Sequence, residues 1–367
     1  MSAFYVLCCR PEHFRVVTGD NAHQEVGFQK WSQDPDHWHG RLLKTWDSVA
    51  AELGKRGAAL IQVPPQAGLP DQCFAADSVV FVRDRGGRER MVFSNMNSAN
   101  RQGEVGVMKD TLTRYFPHSP KLEIPDRKSE GTGDFLYLHG HRFFVQGYGP
   151  RSESGIGQTL ARAVNQLVVE VPLEVGATVH ASGLASRNTK GYHIDTLIMP
   201  LPGKHVIACF EAMHPATRHF FEKLYPKTKR IDVTAAEADL FVTNGLAVPK
   251  SFADKRPRDW TLFLPETTPK AMLGKVRQWG FDYKLFDFEP STLTGGALHC
   301  MFNFNLKIHE TPIAILPTGK PKGYSQLPSD RQHVKAATHI RQSQTDIRYY
   351  HPHKPRAASQ AAEYAFA

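Results

Sequence analysis

The sequence predicts an α/β protein built from five similar units arranged as a closed ring. A strand-like segment recurs five times, and each copy runs through a polar loop into a second strand-like segment. Helical patterns with apolar residues at three- and four-residue spacing lie between the copies. One polar residue taken from each second segment gives successive spacings of 57, 61, 49 and 56 residues. A period of about 55 residues favours a ring of repeats, and an ordinary α/β sheet with coincidental spacing is the alternative.

The five copies share this order but differ in length. They comprise residues 58–64 with 71–82, 121–125 with 130–138 and 143–146, 167–172 with 193–200 and 205–209, 230–233 with 240–248, and 283–288 with 295–306. Helices are predicted at 41–56, 104–115, 155–167, 216–224 and 269–279. The polar residues that define the period are Asp77, Asp134, Asp195, Asn244 and Cys300. Because equivalent places in a ring of repeats point to its centre, three carboxylates and one cysteine are expected to converge.

The distribution of charge divides the chain into two parts. The net charge is +9, and five of these charges belong to the segment after residue 310, which has eight basic and three acidic residues. That segment has little apolar periodicity. We therefore predict a catalytic domain over residues 1–310 and a basic, loosely ordered tail over residues 311–367.

The cysteines and the hydropathy pattern indicate a soluble, cytoplasmic protein. The five cysteines are scattered and form no Cys-x-x-Cys pair, which argues against a disulfide framework and against a cysteine zinc site. No run approaches the roughly 18 apolar residues of a membrane span. No basic segment followed by an apolar run, as in a signal peptide, occurs at residues 1–13.

Cys300 stands in the segment T-G-G-A-L-H-C-M-F. Gly295 and Gly296 suit a tight turn, and the strand predicted at 297–306 would place the thiol near its beginning. A thiol is a nucleophile only as the thiolate, which needs a base or a positive charge nearby. A lone cysteine is more often a buried, inert residue, so the argument depends on its neighbours.

The segment Y-H-I-D-T supplies a base and an acid. On a strand His193 and Asp195 would share one face, because side chains alternate with a period of two. Such a pair can act in general acid–base catalysis. A surface histidine beside an acid is the simpler alternative, although the apolar residues 197–199 favour a buried strand.

Two further segments place carboxylates at the start of strands. In S-E-G-T-G-D, Glu130 and Asp134 bracket two glycines, and in F-A-A-D, Asp77 precedes an apolar strand. Glycines let the backbone turn sharply and approach a ligand, whereas an ordinary turn would explain the glycines but not the acids at both ends.

This set of one thiol, one imidazole and several carboxylates suits a planar, cationic substrate. A guanidinium stays protonated at physiological pH and is held best by carboxylates in its plane. Fixed carboxylates localise its charge, a thiolate can attack the central carbon from above the plane, and the bound cation favours the thiolate.

Taken together, the motifs F-A-A-D, E-G-T-G-D followed by G-Y-G-P-R-S-E, Y-H-I-D-T and G-G-A-L-H-C resemble those of the guanidino-group-modifying enzyme superfamily. It contains arginine deiminases, dimethylarginine dimethylaminohydrolases, arginine dihydrolases and amidinotransferases. The resemblance runs from about Cys9 to Leu306. It implies a five-bladed α/β propeller of ββαβ-type units, hydrolysis of C–N bonds in linear amidines, and no metal or organic cofactor. Members often form dimers.

The resemblance also implies roles for individual residues. Cys300 would be the nucleophile, His193 the general acid and base, and Glu130 the residue that orients both His193 and the guanidinium. The remaining residues would bind substrate or support the site: Asp77 and Asp195 would grip guanidinium nitrogens, Arg101 and Arg151 would bind the substrate carboxylate, and Asp134 would support the glycine turn.

The motifs do not select one subfamily. Dimethylarginine hydrolases usually lack the acid of His-x-Asp that Asp195 supplies here, and deiminases usually have a shorter Glu-Gly-Gly-Asp. The longer Glu-Gly-x-Gly-Asp is closer to arginine dihydrolases, which often have Asn in place of Asp77. The sequence thus predicts a hydrolase of free or N-methylated arginine that forms a covalent S-alkylthiouronium intermediate, with an amidinotransferase as the alternative.

Two other classes of function were considered. Three His-x-His pairs, at 37/39, 139/141 and 351/353, suggest a metal hydrolase, but no third ligand follows from their spacing. The basic tail suggests a non-catalytic, nucleic-acid-binding protein, but no recognised nucleic-acid motif accompanies it. We expect neither a metal nor nucleic acid to be bound.

Overall fold

A computed structural model gives the fold for most of the chain. It describes residues 4–19, 21–83, 88–139, 141, 143–173, 178–179, 185–186, 191–254, 259–304, 306–307 and 346–352. Most of the predicted tail, residues 311–345 and 353–367, lies outside the described residues.

The strands are short and are distributed along the whole chain. They are β1 (Phe4–Cys8), β2 (Ala58–Gln62), β3 (Val79–Arg83), β4 (Glu89–Phe93), β5 (Lys121–Glu123), β6 (Phe135–Leu138), β7 (Phe143–Tyr148), β8 (Val168–Pro172), β9 (Thr178–Val179), β10 (Ala185–Ser186), β11 (Ile198–Leu201), β12 (His205–Ala208), β13 (Arg230–Asp232), β14 (Leu246–Pro249), β15 (Trp260–Pro265), β16 (Asp282–Phe286), β17 (Phe302–Phe304), β18 (Leu306–Lys307) and β19 (Arg348–Tyr350).

Helices of two kinds separate these strands. The longer ones are α1 (Ala22–Trp31), α2 (Pro35–Lys55), α3 (Gln102–Tyr115), α5 (Gly157–Val164), α6 (Pro215–Leu224) and α8 (Lys270–Gln278), and the single turns are α4 (Gly131–Asp134), α7 (Ala235–Ala238), α9 (Glu289–Thr292) and α10 (Leu298–Met301). The five helices predicted from apolar spacing correspond to α2, α3, α5, α6 and α8.

Five sheets repeat one pattern, which gives a mixed α/β fold. In each sheet the first strand is antiparallel to the second, the second is parallel to the third, and one or two helices connect the second to the third. The strand triplets are β3-β4-β5, β6-β7-β8, β11-β12-β13, β14-β15-β16 and β17-β1-β2. A separate pair, β9 with β10, is antiparallel. The predicted ββαβ unit is thus confirmed.

The last of these triplets joins strands that are far apart along the chain. Strand β17 pairs antiparallel with β1, with Val6 opposite Phe304. Strand β1 then runs parallel to β2. The first strand of this unit therefore comes from near residue 303, and its other two strands come from the first 62 residues of the chain.

Apolar side chains between the sheets and their helices form the core. One cluster contains Val169, Ile207, Phe221 and Val276, from two sheets and two helices. In another, Trp46 of α2 stacks on Phe302 of β17 with ring centroids 5.7 Å apart. Burial of such apolar surface is the main source of stability and fixes where each first strand begins.

The residues before β3, β11 and β17 are helical, where strand was predicted from the sequence. Asp77 lies in a 3₁₀ turn (Ala75–Ser78), Asp195 in a 3₁₀ turn (Ile194–Thr196), and Cys300 in α10. The predicted shared strand face of His193 and Asp195 is therefore wrong, as is the predicted strand start at residue 297. A single turn is too short to show helical periodicity, and the apolar residues that follow make the segment look like strand.

Part of the predicted tail is ordered against the fold. Strand β19 pairs antiparallel with β8, with Tyr349 opposite Val169. Ile347 and Tyr349 are buried in the same cluster as Val169. Among the helices of the described segments, none is long and apolar enough to cross a membrane.

Candidate active site

Four single turns bring the predicted chemical groups together. The thiol of Cys300 lies 3.3 Å from Asp195 Oδ2. His193 Nε2 lies 2.8 Å from Glu130 Oε2, and its Nδ1 lies 3.8 Å from Asp77 Oδ1. The convergence expected from the repeat is therefore present in the structure, because each turn sits where the first strand of its sheet begins.

The glycines of E-G-T-G-D permit this close approach. A Cβ at Gly133 would lie 2.5 Å from Asp77 Oδ1 and 2.7 Å from His193 Nδ1. Gly131 has φ +45° and lies against the backbone of Ala76 and Asp77. Glycine is thus needed at both positions for the turns that carry Asp77, Glu130 and His193 to lie this close together. This agrees with the prediction that the glycine turn allows close approach of the backbone.

Cys300 is buried and surrounded by acceptors. Its side chain is 2% exposed, its thiol faces Asp195, and its backbone N–H donates to Asn244 Oδ1 at 3.4 Å. Burial, together with the carboxylates of Asp195 and Asp77, raises the pKa of the Cys300 thiol well above its usual value. The thiol is therefore protonated unless a positive charge comes close to it.

Asp77 and Asp195 each have one oxygen that accepts a hydrogen bond and one that does not. Asp195 Oδ2 accepts from His299 Nδ1 at 2.9 Å, and Asp77 Oδ2 accepts from Arg101 Nη1 at 2.7 Å. The Oδ1 atom of each is buried and accepts no hydrogen bond from the residues that the structure describes. Burial raises the pKa of Asp77, against the opposing effect of His193 and Arg101. Two buried acceptors suit a cationic donor.

His193 is 1% exposed and surrounded by carboxylates. Burial alone would lower the pKa of His193, but Asp134, Asp77 and Glu130 outweigh it and raise the pKa to about 9. The imidazole is therefore protonated at neutral pH and able to give a proton to a leaving group.

Glu130 is fully paired. Its Oε1 accepts from the Asn97 backbone N–H at 3.0 Å, and its Oε2 accepts from His193 and from Arg151 Nη1, the latter at 3.3 Å. Burial would raise the pKa of Glu130, but Arg151 and His193 lower it below its usual value. Glu130 stays ionised and bonds to the imidazole, and its role in orienting His193 and the guanidinium stays a prediction.

The two predicted carboxylate-binding arginines have different surroundings. Arg101 is buried and donates to Glu104 through Nε and Nη2, at 2.9 and 2.8 Å, and to Asp77 through Nη1. Its contacts hold Asp77 in place. Arg151 donates to Glu130, and its guanidinium lies 5.3 Å from the centroid of the Tyr192 ring. Both arginines line the cavity described below, and their role toward substrate stays a prediction.

Asp134 bonds to two neighbouring turns, and its role in the site stays a prediction. Its Oδ2 accepts from the Ser152 hydroxyl at 2.6 Å, and its Oδ1 accepts from the Ile194 N–H at 3.2 Å. Burial raises the pKa of Asp134 to about 7, although His193 and Ser152 oppose the shift. This carboxyl links the turn before β6 to the turn before β11.

A small cavity opens onto the thiol. Tyr192 closes one side, and its hydroxyl donates to the carbonyl of Gly295. The lining residues are Asn21, Gln24, Asp71, Phe74, Asp77, Arg101, Arg151, Tyr192, Thr294, Gly295, Gly296 and Cys300.

Several of these residues escaped the sequence analysis. Asn21 and Gln24 come from the start of α1, which has no motif and is far from the other segments along the chain. Tyr192 and His299 stand beside identified residues in Y-H-I-D-T and L-H-C, so their position was a usable signal. Asn244 was placed correctly by the repeat, and it bridges the Asp195 carbonyl and the Cys300 amide.

The histidine pairs do not gather into a metal-binding cluster in the described ranges. Within those ranges, no group of three or more His, Cys, Asp or Glu side chains is arranged to hold a metal ion. His37 and His39 lie on α2, and His353 lies outside the described residues.

The catalytic segment is similar to known guanidino-modifying proteins. Over 299 residues it is 25% identical to the bifunctional arginine dihydrolase/ornithine cyclodeaminase ArgZ of Synechocystis sp., which covers 81% of this chain and 37% of that protein. It is 27% identical over 244 residues to AgrE of Nostoc sp., with the same description, covering 66% of this chain and 31% of that protein. The chain thus spans about a third of the length of these relatives.

Solved structures share the fold. The N-terminal domain of ArgZ bound to product has a TM-score of 0.69 at 23% identity, covering 83% of this chain and 99% of that one. A dimethylarginine dimethylaminohydrolase adduct with S-methyl-L-thiocitrulline has a TM-score of 0.59 at 16% identity, covering 83% and 100%.

The family model described as "N,N dimethylarginine dimethylhydrolase, eukaryotic" matches residues 10–303, which hold all the converging side chains described above. That match extends over more than half of the chain. The chain therefore belongs to this dimethylarginine dimethylhydrolase family, within the guanidino-group-modifying superfamily.

Proposed function

We propose that this protein hydrolyses the guanidinium group of free arginine or an N-methylated arginine, with Cys300 as the covalent nucleophile. One observation supports this above all: a buried thiol lies against Asp195 and near Asp77, and each of these carboxylates has one buried oxygen that accepts no hydrogen bond from the described residues. A planar cation that donates in its own plane satisfies both oxygens and exposes its central carbon to the sulfur.

Substrate binding also prepares the nucleophile. The same carboxylates that raise the pKa of Cys300 are neutralised by the guanidinium. With the cation bound, the thiol releases its proton to solvent more easily, and the thiolate attacks the guanidinium carbon to form a C–S bond. The enzyme is thus protected from unproductive thiol chemistry when no cation is present.

His193 then acts twice. It begins protonated, since its pKa is about 9, and gives its proton to the departing nitrogen as the C–N bond breaks. Ammonia or an amine leaves, and an S-alkylthiouronium remains on Cys300. The now neutral imidazole takes a proton from water, the water oxygen bonds to the carbon, and cleavage of the C–S bond returns the thiol.

The two-carboxylate grip favours an unsubstituted guanidinium. If Asp77 and Asp195 hold the two terminal nitrogens, an N-methyl group removes a donor and leaves a buried carboxylate oxygen unpaired, which costs about 1–3 kcal/mol or more. The site therefore suits arginine better than dimethylarginine, although the family takes its description from the latter. Arg151 and Arg101 line the cavity where the substrate carboxylate would lie.

We further propose that the five ββαβ units close into a five-bladed propeller. The pairing of β17 with β1 supports closure, because it completes the first unit with a strand that follows the last one. In that arrangement all five turns before the first strands face one central site.

The test is a Cys300→Ser variant, with Cys209→Ala as the matched control, because Cys209 is also buried but lies in the core. Both are assayed with arginine and with its N-methylated forms. Cys300→Ser should lose turnover by at least about 10⁴-fold, and Cys209→Ala should retain it. Acid quenching of the wild-type reaction should leave a mass adduct on the Cys300 peptide.

The products identify the reaction. Citrulline with ammonia indicates a deiminase, citrulline with methylamines a methylarginine hydrolase, ornithine with two ammonias a dihydrolase, and a requirement for an amine acceptor a transferase. Full activity in Cys300→Ser would refute the proposal.

A further inference from the structure

The loop between β7 and α5 connects the active site to the outer side of its sheet. It spans residues 149–156 and contains Arg151 and Ser152. Arg151 donates to Glu130, and the Ser152 hydroxyl donates to Asp134 and accepts from the Glu130 N–H at 3.0 Å. The position of this loop therefore sets the position of the groups that orient His193.

The first end of the loop is held by the C-terminal segment. Tyr148, the last residue of β7, donates its hydroxyl to the carbonyl of Asp346 at 2.8 Å. The guanidinium of Arg348 lies 5.5 Å from the centroid of the Tyr148 ring, a cation–π distance. Both contacts come from residues about 200 positions later in the chain.

The second end of the loop is held through Glu170. This glutamate is fully buried in β8, and its carboxylate accepts from the Gly155 N–H at 2.9 and 3.0 Å and from the Gly157 N–H at 2.7 Å. The Tyr350 hydroxyl donates to the same carboxylate at 3.1 Å. Burial and Glu170 raise the pKa of Tyr350 to about 12, so this hydroxyl remains a donor at neutral pH.

The Tyr350 ring packs against the backbone at Gly157. A Cβ at Gly157 would lie 2.3 Å from Tyr350 Cδ2, so the ring occupies the space that a side chain would fill. Next to it, the Gln158 side chain donates to the carbonyl of His351 at 2.8 Å. The first residues of α5 thus contact both the Tyr350 ring and the backbone just after β19.

We propose that the C-terminal strand β19 clamps both ends of the loop that carries Arg151, with Tyr350 and Glu170 as positioning residues for the active site. As far as substrate binding is concerned, this inference rests on the proposed function. The clamp acts through backbone amides at one end and Tyr148 at the other. It touches no reacting atom.

A purely structural role for β19 makes a different prediction. A strand that only covers the edge of the sheet would contribute stability evenly along its length. Tyr349 and Tyr350 would then be equivalent, since both are tyrosines of the same strand. In the clamp, the Tyr350 hydroxyl bonds to Glu170, whereas Tyr349 packs into the cluster around Val169.

The test compares Tyr350→Phe with Tyr349→Phe in the full chain. Each variant removes one hydroxyl and keeps the ring. Loss of a hydrogen bond to a charged acceptor should raise the KM for the guanidino substrate about fivefold in Tyr350→Phe, with kcat within about twofold. Backbone hydrogen exchange at Gly155 and Gly157 should also quicken by a similar factor. Tyr349→Phe should change neither quantity.

Hydrogen exchange tests the clamp independently of the proposed hydrolase activity. Faster exchange at Gly155 and Gly157 in Tyr350→Phe alone supports the clamp, even if no guanidino substrate is turned over by the wild type. Unchanged exchange, or equal changes in both variants, overturns it. A Gly157→Ala variant provides a second check, because its methyl group should displace the Tyr350 ring and reproduce the rise in KM.

Discussion

The two halves of the active site are prepared to different degrees. Around His193, the oxygens of Glu130 are all paired, and the imidazole already holds the proton it will give away. Around Cys300, two carboxylate oxygens have no partner in the described part of the chain, and the thiol is held in its protonated form.

This difference separates two kinds of preparation. The acid–base half is pre-organised, so that no rearrangement is needed when charge develops. The nucleophile half is completed by the substrate itself, since the guanidinium supplies the positive charge that both the carboxylates and the thiolate require. Substitutions in the two halves should therefore change the kinetics and the thiol reactivity in different ways.

After the loss expected for Cys300→Ser, the largest effect is expected from the pre-organised half. His193→Gln keeps a hydrogen-bond donor toward Glu130 but removes the transferable proton. We expect kcat to fall by about 10³-fold, within the usual range for loss of a general acid–base. Steady-state kinetics with arginine measure this, and burst analysis shows whether the first or the second step is slowed. A loss of less than about tenfold would contradict the assignment of His193.

In the nucleophile half, one substitution should raise the reactivity of the Cys300 thiol and lower kcat/KM. In Asp195→Asn, loss of the neighbouring negative charge lowers the pKa of Cys300, so alkylation by iodoacetamide without substrate should be faster at pH 8, by about tenfold for each pKa unit. The same variant loses a charged partner for the guanidinium, so kcat/KM should fall by about 10- to 100-fold.

Asp134→Asn is the matched control for this experiment. Asp134 is also a buried carboxyl of the site, but it bonds Ser152 and Ile194 and does not contact the thiol. Its substitution should leave the alkylation rate unchanged. If Asp195→Asn alkylates no faster than the wild type, the thiol is not restrained by the carboxylate, and the comparison of the two halves fails.

The repeat made much of this site predictable from the sequence. The spacing of Asp77, Asp134, Asp195, Asn244 and Cys300 marks the same place in each unit, and equivalent places do converge. The local conformation was not predictable in the same way. Turns of three or four residues have no periodicity, so strand preference in the following residues hid them.

Other features depend on contacts between distant segments. Nothing in the sequence around Arg101 reveals that Glu104 and Asp77 occupy its donors, since the contact with Asp77 spans 24 residues. Likewise, the segment at Tyr350 has a basic, polar context typical of a solvated tail. Its docking depends on the missing side chain at Gly157 and on Glu170, which lie 180 or more positions earlier in the chain.

The smallest expected effect concerns stability, and it sharpens the claim that the acid–base half is pre-organised. A histidine whose pKa rises from 6.5 to about 9 on folding adds stability that is complete below about pH 6.5 and lost as the pH rises to about 9. The free energy of unfolding of the wild type should therefore fall toward that of His193→Gln by about 1.4 kcal/mol per pH unit between pH 7 and 9. Asp134, whose pKa is about 7, finishes ionising in the lower part of this window and adds little to the slope above pH 8. Urea unfolding of both proteins across the window measures the difference, and effects of other alkaline groups cancel in it. A constant difference would mean that the carboxylates around His193 do not hold its proton, and the imidazole would then start the reaction as a base.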